Sequence, residues 1–412
     1  MAAPSANGSL RGLRELNRLR VVETLRRRGS ASRTDLARLT GLSRTTVASL
    51  VTDLQASGLV VERPEPDGQG VGRGRGRRPG MLRLDASAGN ALGIDFGHRQ
   101  IRVAVADLAA SVLAERRVDF DVDDDADLAL DAAVDAADAV LAEAEVERDQ
   151  VVGVGVGLAG PVDRRTGTVG SSSILPGWLG VDAGFELETR LGLPVAVEND
   201  ANLGALAEAS FGAGRGVSDL VYVMLSAGIG AGLVLGDRLY RGSIGLAGEL
   251  GHVSARPDGQ ICRCGNRGCL ETLASTCALI ELLRPAQGER LTLQGLLELS
   301  AGGDLGARRA IRDAGHAVGR ALADLCNCLN PAAIVVGGEL SVAGEPLLAG
   351  IREALDRYAQ PRVAEAVEVR PAVLGARAEV LGALALVIGD SERLNSAGLA
   401  ALRQPGAIPV VT

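Results

Sequence analysis

The sequence predicts an α/β protein with a small winged helix-turn-helix head and a larger body of two similar lobes with a cleft between them. Three observations support this prediction. Apolar residues recur at helical spacing up to about residue 57, and glycines at positions 29 and 41 interrupt the pattern. From about residue 90, short apolar strands alternate with helical stretches. A glycine-turned hairpin near Gly97 has a counterpart near Gly228, which indicates that the lobe is repeated.

The charge is divided unevenly along the 412 residues. Residues 1–80 contain 15 Arg and seven acidic residues, a net charge of +8, whereas the whole chain has a net charge of -8 and the remainder therefore -16. A basic head on an acidic body indicates that only the head meets a polyanion. Aromatic residues make up 2% of the chain, too few for the stacking surfaces that single-stranded nucleic acids require. Double-stranded DNA is therefore the expected partner.

We expect a cytoplasmic protein with no membrane partner. The N-terminus has no apolar stretch of signal-peptide length, and no later run approaches the roughly 18 apolar residues that a membrane span needs. In a reducing compartment, clustered cysteines are more often metal ligands or redox groups than disulfides.

The head is expected to span residues 1–85 and to contain three helices. Its third helix, from Ser43 to Ser57, has the position of a recognition helix, with Ser43 as the N-cap. The apolar residues Val47, Leu50, Val51 and Leu54 are expected to face inward. The exposed first turn is expected to contact base edges through Ser43, Arg44, Thr45 and Thr46. Any small three-helix bundle is the alternative.

Two short strands, at residues 59–62 and 81–84, are expected to form a wing. The tip between them reads "GVGRGRGRRPG", in which glycine frees the backbone and arginine side chains can reach phosphates or a narrow minor groove. The expected DNA-binding residues of the tip are Arg73, Arg75, Arg77 and Arg78. A flexible basic linker is the alternative, and it would raise DNA affinity without adding specificity.

The body is expected to divide into lobes at 90–200 and 201–390, followed by a tail at 391–412. The first lobe begins with three strands and an acidic amphipathic helix, and continues with the buried strand "VVGVGVGLAG". The second lobe repeats the hairpin, helix and strand. The alternative for the last helix is that it returns to pack on the first lobe.

Seven strings in this body resemble motifs of the ROK family, which is named for repressors, open reading frames and sugar kinases. They are "GIDFG", "GLAGPVD", "LPGW", "VENDAN", "GIGAGLV", "GELGH" and "CRCGNRGCLE", in family order from Gly93 to about residue 390. The resemblance implies an actin-like, sugar-kinase (ribonuclease H-like) fold of two lobes. A basic winged helix in front of it is the arrangement of the family's transcriptional regulators.

The segment 251–271 gathers one histidine and three cysteines that suit a closed tetrahedral zinc site: His252, Cys262, Cys264 and Cys269. The residues between them form no regular element, so a bound metal would supply the stability that apolar burial does not. The resemblance implies structural zinc on these same four residues. Reduced thiols without a metal are the alternative. Cys277, Cys326 and Cys328 are expected to be core residues.

The resemblance also implies a hexose site formed by Asn199, Asp200, Glu249, His252 and Glu271, with Gly160 lining the pocket. In the family's kinases, the aspartate that matches Asp200 is the general base on the attacking hydroxyl. A simple helix cap is the alternative for Asp200. Ile174 stands where the family often has asparagine, which leaves the preferred sugar open.

Three loops that would bind ATP depart from the family's kinases. Residues 95–100 read "DFGHRQ" where those kinases show Asp-x-Gly-Gly-Thr-Lys, and residues 226–228 read "SAG" where Gly-Thr-Gly is usual. Residues 337–339 read "GGE" where a third glycine is common. The kinase motifs are lost only in the loops that would bind ATP, which favours a protein that senses a sugar over an enzyme that phosphorylates it.

The leading hypothesis is therefore a DNA-binding transcriptional regulator, a repressor, whose affinity for a double-stranded operator is changed by a sugar or sugar phosphate. We expect a homodimer or homotetramer, because helix-turn-helix proteins usually read paired half-sites. The alternative is an active, ATP-dependent hexose kinase with a DNA-binding head, which would use Mg-ATP and Asp200. A zinc enzyme is disfavoured, because four protein ligands leave no open position for water.

Overall fold

The computed structural model describes residues 10–63, 80–163, 166–169 and 174–390. The four arginines expected at the wing tip and the tail at 391–412 lie outside the described residues. No helix in the described part of the chain is both long enough and apolar enough to cross a membrane.

The helices and strands are numbered in chain order. The helices are α1 (Leu10–Arg28), α2 (Arg33–Thr40), α3 (Arg44–Ala56), α4 (Ala126–Glu143), α5 (Ala183–Leu191), α6 (Asp200–Phe211), α7 (Glu271–Ala274), α8 (Thr276–Gln287), α9 (Leu293–Ala301), α10 (Leu305–Leu329), α11 (Glu345–Tyr358), α12 (Pro361–Ala366) and α13 (Ala378–Ile388). The strands are β1 (Val60–Arg63), β2 (Met81–Leu84), β3 (Asn90–Gly97), β4 (Gln100–Asp107), β5 (Val112–Asp119), β6 (Val151–Leu158), β7 (Val195–Asn199), β8 (Leu220–Leu225), β9 (Ile229–Leu235), β10 (Arg238–Tyr240), β11 (Ala333–Gly337) and β12 (Glu368–Pro371).

The head consists of three helices and one antiparallel pair, β1 with β2, as predicted. Gly29 and Gly41 follow α1 and α2 with φ of 71° at both, a left-handed conformation that glycine adopts without steric cost. The hydroxyls of Ser32 and Ser43 accept hydrogen bonds from backbone N–H groups in the first turns of α2 and α3. These signals explain why the sequence gives three short helices here instead of one long one.

The body contains two five-stranded sheets with the same topology. Their strand orders are β5-β4-β3-β6-β7 and β10-β9-β8-β11-β12. In each sheet three antiparallel strands are followed by two parallel strands, β6 and β7 in the first and β11 and β12 in the second. The repeated order confirms the predicted duplicated, two-lobed α/β body.

Helix α13 crosses back to the first sheet and packs on β3 and β6. Two strand glycines allow this close approach. A Cβ built on Gly93 would lie 2.8 Å from the carbonyl oxygen of Val380, and one on Gly155 would lie 2.0 Å from that of Ala383. Residues of α13 from Val380 to Ile388 also belong to the same cluster of buried side chains as the core of the head, and that cluster includes residues of β3 and β4. Thus α13 packs on the first sheet and is part of a buried cluster that continues into the head.

Candidate functional site

The junction of β7 and α6 brings three of the expected sugar-site residues together. Asn199 caps α6, since its Oδ1 accepts the N–H of Ala201 at 3.0 Å. Its Nδ2 donates to the carbonyl of Gly160 at 3.0 Å and to Asp200 Oδ1 at 2.8 Å. Asn199 is the N-cap residue, but Asp200 Oδ1 also accepts the N–H of Ala201, at 2.7 Å, so a helix-capping role remains the alternative for Asp200. Ile174 lies next to Gly160: a Cβ built on Gly160 would be 3.5 Å from the Cγ2 of Ile174.

Asp200 lies among other carboxylates. Burial, together with the negative charges of Glu379 and Glu249, raises the pKa of Asp200 to about 7. Asp95, which is 4% exposed, has its pKa raised in the same way by burial and by Glu379 and Asp200. The positive charge of Arg102 opposes that shift at Asp95. This end of the site therefore gathers acidic groups whose raised pKa values favour the neutral form.

His252 connects the expected sugar-site residues to the cysteines. It ends a short 3₁₀ turn, Leu250–His252, that begins after Glu249. Its Nε2 lies 3.8 Å from Glu249 Oε2, while its Nδ1 lies 3.7 Å from the Cys262 sulfur. The two ring nitrogens thus face different groups: Nε2 faces an expected sugar-site residue, and Nδ1 faces the cysteine cluster.

The four expected metal ligands form one compact cluster. The ligand atoms of His252, Cys262, Cys264 and Cys269 all lie within 4.8 Å of one another. The sulfurs of Cys264 and Cys269 are 3.7 Å apart. Metal–sulfur bonds of about 2.3 Å in a tetrahedron place two thiolates about 3.8 Å apart, so the observed spacing fits a four-coordinate metal.

The other three cysteines lie outside this cluster. Cys326 is buried, as expected, and burial raises the pKa of its thiol to about 11. Cys277 and Cys328 are exposed, so the expectation that they are core residues is wrong. Both sit on amphipathic helices, where a small apolar residue at the edge of the buried stripe can face solvent.

Glu271, the last expected sugar-site residue, begins α7 and is 9% exposed. Its carboxylate forms two hydrogen bonds with Arg263, at 2.8 and 2.9 Å. The backbone N–H of Ile229 also donates to it, at 3.3 Å. The site therefore spans both lobes, from the end of β7 to the start of β9.

The three loops that would bind ATP offer few groups for phosphate. His98 Nδ1 lies 2.7 Å from Asp123, and Arg99 donates to Asp121 at 2.8 Å. Both basic side chains of the first loop are therefore engaged with the connection between β5 and α4. The second and third loops meet where the N–H of Glu339 donates to the hydroxyl of Ser226 at 3.2 Å.

The recognition helix presents its first turn to solvent. Arg44 and Thr45 are exposed and Thr46 is partly exposed, while the four predicted inward residues are buried. The Ser43 hydroxyl accepts from the N–H of Thr46 at 3.1 Å and lies 2.8 Å from the hydroxyls of Thr45 and Thr46. Ser43 thus fixes the turn, on which the side chains of Arg44 and Thr45 are exposed to solvent.

Two charged residues of the site, Glu379 and Arg263, were not predicted from the sequence. Glu379 stands in the first turn of α13, and an acidic residue at a helix N-terminus looks like ordinary dipole compensation. Arg263, between two cysteines, looks like a solvated loop residue. Glu379 comes close to Asp200 only because α13 returns to the first sheet. Arg263 reaches Glu271 only because residues 252–269, which carry the four candidate metal ligands and are called the metal loop below, fold back on themselves.

A winged helix in front of a two-lobed, kinase-like fold defines a class of DNA-binding proteins built on a sugar-kinase scaffold. The chain belongs to the ROK family, whose sequence profile it matches over residues 91–390, and residues 15–70 match the MarR family. The body therefore has the actin-like, sugar-kinase fold that the resemblance implied.

Three known proteins illustrate the relationship. The xylose repressor of Caldicellulosiruptor bescii is 31% identical over 391 residues, 92% of this chain and 96% of that protein. The crystal structure of a ROK family transcriptional regulator, a homologue of the E. coli MLC protein, has a TM-score of 0.80 at 26% identity and covers 94% of this chain and 99% of its own. A ROK glucokinase from Streptomyces griseus, in complex with glucose and AMPPNP, has a TM-score of 0.63 at 33% identity and covers 72% and 99%.

Proposed function

We propose that this protein is a transcriptional repressor that binds a double-stranded DNA operator and changes its operator affinity when a sugar or sugar phosphate binds between the lobes. The observation that supports this most strongly is the combination of an exposed recognition turn at Arg44 and Thr45 with the sugar-site residues at Asn199, Asp200 and Glu271. The similarity to a xylose repressor and to an MLC homologue along nearly the whole chain supports the same assignment.

The sugar site uses carboxylates and an amide as acceptors and donors for hydroxyl groups. Asn199, Asp200, Glu249, His252 and Glu271 would hold the sugar, with Gly160 at the wall. Buried carboxylates suit a neutral polyol, because each oxygen accepts a hydroxyl hydrogen bond without placing like charges together. Xylose and glucose are the sugars to test first, because related proteins are named for them.

The first turn of α3 would contact the DNA bases, and the wing would contact the phosphate backbone of the DNA. Arg44, Thr45 and Thr46 lie on the turn that Ser43 caps. The arginines at 73, 75, 77 and 78 would bind phosphates from the wing tip. A homodimer or homotetramer would place two heads on paired half-sites.

Helix α13 is the element that would couple the two sites. Its N-terminal residue Glu379 acts electrostatically on Asp200, and its last turns share a buried cluster with the head. Movement of α6 on sugar binding would reach α13, because the two helices pack in direct contact. A ligand that favours one placement of α13 would therefore change the orientation of the head, and coupling of this kind is reciprocal.

Zinc is the metal we propose for the Cys₃His cluster. One imidazole and three thiolates are a donor set that zinc prefers, and four protein ligands make a closed, structural site. With Nδ1 on the metal, His252 would keep Nε2 directed at the sugar side. The metal would thus orient a sugar-binding side chain without taking part in chemistry.

Phosphorylation of the sugar is the second candidate function, and the pKa of Asp200 is the observation that favours it. A carboxylate with a pKa of about 7 is suited to act as a general base at neutral pH. Against it, Asp95 of the first loop and Glu339 of the third loop both interact electrostatically with Glu379 of α13, and this gathering of acidic groups is unfavourable for the phosphates of Mg-ATP. Sugar-dependent ADP release that Asp200→Asn abolishes would establish the kinase.

Thermal stability in the presence of ligands tests the proposed function. A ligand that binds only the folded protein raises the melting temperature. We expect D-xylose, D-glucose or one of their phosphates to raise it, with no added effect from Mg-ATP. A rise that requires Mg-ATP would support the kinase, and no rise with any sugar or sugar phosphate would refute both the sugar regulation and the kinase, leaving operator binding to be tested separately.

A further inference from the structure

Arg263 stands between two metal ligands, Cys262 and Cys264, and its side chain turns back onto Glu271. Its Nε donates to Glu271 Oε1 at 2.8 Å and its Nη2 donates to Oε2 at 2.9 Å. Two parallel bonds of this kind are the arrangement in which a guanidinium binds a carboxylate most strongly. The side chain of Arg263 is 32% exposed and that of Glu271 is 9% exposed, so the arginine is the partner with room to move.

While Arg263 is in place, most of the acceptor positions of the Glu271 carboxylate are taken. An ionised carboxylate has about four lone-pair directions. Arg263 takes two, and the N–H of Ile229 takes a third, at 3.3 Å from Oε2. The Cys262 sulfur also lies 4.0 Å from Oε1, but as a metal ligand it would be a thiolate with no proton to donate. A ligand that bonds to Glu271 through two hydroxyls must therefore replace one of the three N–H donors, and only those of Arg263 belong to a partly exposed side chain.

The turn at Gly228 fits this ion pair closely. A Cβ at Gly228 would lie 2.8 Å from Arg263 Nη2 and 3.0 Å from Glu271 Oε2. The glycine therefore leaves the space that the guanidinium fills. The pair joins the metal loop to the turn before β9, and it closes this side of the site.

We propose that Arg263 is a specificity-determining residue of the sugar site, which a ligand must displace in order to bond to both oxygens of Glu271. The proposal rests on the proposed function, because it takes Glu271 as the acceptor for the sugar. A ligand with two neighbouring hydroxyls replaces both lost N–H donors with two O–H donors, whereas a single hydroxyl replaces only one of them. Arg263 thus selects vicinal diols.

The test compares sugar affinities of the whole protein and three variants by isothermal titration calorimetry. Arg263→Met removes the donors, and Arg263→Lys keeps the charge without the paired bonds. Arg267→Met is the matched control, because Arg267 is an exposed arginine of the same loop whose Nη1 donates to the carbonyl of Gly259. The probes are D-xylose, D-glucose and N-acetyl-D-glucosamine, and metal content is measured in every sample.

The apparent affinity of a site that is open only part of the time is reduced by the open fraction. We expect both Arg263 variants to bind the preferred sugar at least about fivefold more tightly than the unaltered protein, with Arg267→Met unchanged. Equal or weaker binding by both Arg263 variants, with normal binding by the unaltered protein, would overturn the role of Arg263 alone. Absence of sugar binding in all four proteins would refute the proposed function together with this role.

Discussion

Gly382 of α13 lies against Leu203 of α6 so closely that a Cβ on the glycine would be 2.1 Å from the leucine's carbonyl oxygen. The helix that begins at Asp200 and the helix that shares a buried cluster with the head therefore touch backbone to backbone. Contacts this close leave no soft side chain between the two helices to absorb a displacement. A shift of one helix must be followed by the other, which is what transmission from the sugar site to the head requires.

Gly382→Ala should separate α6 from α13. We expect a loss of about 1–3 kcal/mol in the free energy of unfolding, as for other overpacked cores, together with a smaller effect of sugar on operator affinity. Denaturant unfolding and DNA-binding titrations measure the two effects. Gly295→Ala in α9 is the control, because its Cβ would meet only ordinary contacts at 3.5 Å or more. Unchanged stability and coupling in Gly382→Ala would contradict the role of this contact.

Asp200→Asn should make the ligand-free protein less sensitive to pH. The pKa of Asp200 is raised to about 7 in the folded protein, above its ordinary value of 3.8. Its contribution to stability is thus fully present below about pH 4 and is lost as the pH rises through 7. The variant should be more stable than the unaltered protein at pH 8, by at most about 4 kcal/mol, with the difference vanishing near pH 4.

The check is denaturant unfolding of both proteins from pH 4 to pH 8. Asn keeps an oxygen for the N–H of Ala201, so the local hydrogen bonding is preserved. A stability difference that does not grow with pH would mean that Asp200 is already ionised near its ordinary pKa.

Cys264→Ser should remove the metal and loosen the sugar site. We expect zinc content to fall from one per chain to nearly none, and the free energy of unfolding to fall by several kcal/mol. Sugar affinity should also fall, since His252 loses the bond that orients its ring. Elemental analysis and calorimetry measure these changes, with Cys328→Ser on the exposed face of α10 as the control. Full metal content in Cys264→Ser would contradict the ligand assignment.

Arg44→Ala should weaken operator binding about 10-fold to 100-fold and relax specificity at one position, as expected for the loss of a base-edge contact. Binding to random-sequence duplex should change much less. Arg309→Ala on α10 is the control, because that residue is exposed but lies in the second lobe. Equal losses on operator and random duplex would make Arg44 a phosphate contact.

Local signals in the sequence were sufficient to predict the head, the repeated lobes and the cluster of one histidine and three cysteines. Ser43 and Gly41 mark helix ends through their own backbone chemistry, and the four candidate metal ligands lie within one segment of 18 residues.

Long-range contacts were not predictable in the same way. Glu379 reaches Asp200 only because α13 returns to the first sheet, and Arg263 reaches Glu271 only through the folded metal loop. The exposure of Cys277 and Cys328 likewise depends on which helix face meets the core. Residues of this kind acquire their partners from tertiary packing, which periodicity does not encode.

The most direct test of the account is the affinity of the whole protein for its operator with and without sugar. A duplex selected by repeated binding from a random-sequence pool is titrated at fixed salt in the absence and presence of saturating D-xylose, D-glucose or their phosphates. The account predicts that one of these ligands changes the Kd for the duplex at least fivefold, and that the duplex changes the Kd for that ligand by the same factor. A duplex bound with the same Kd under every condition, or no selectable duplex at all, would contradict it.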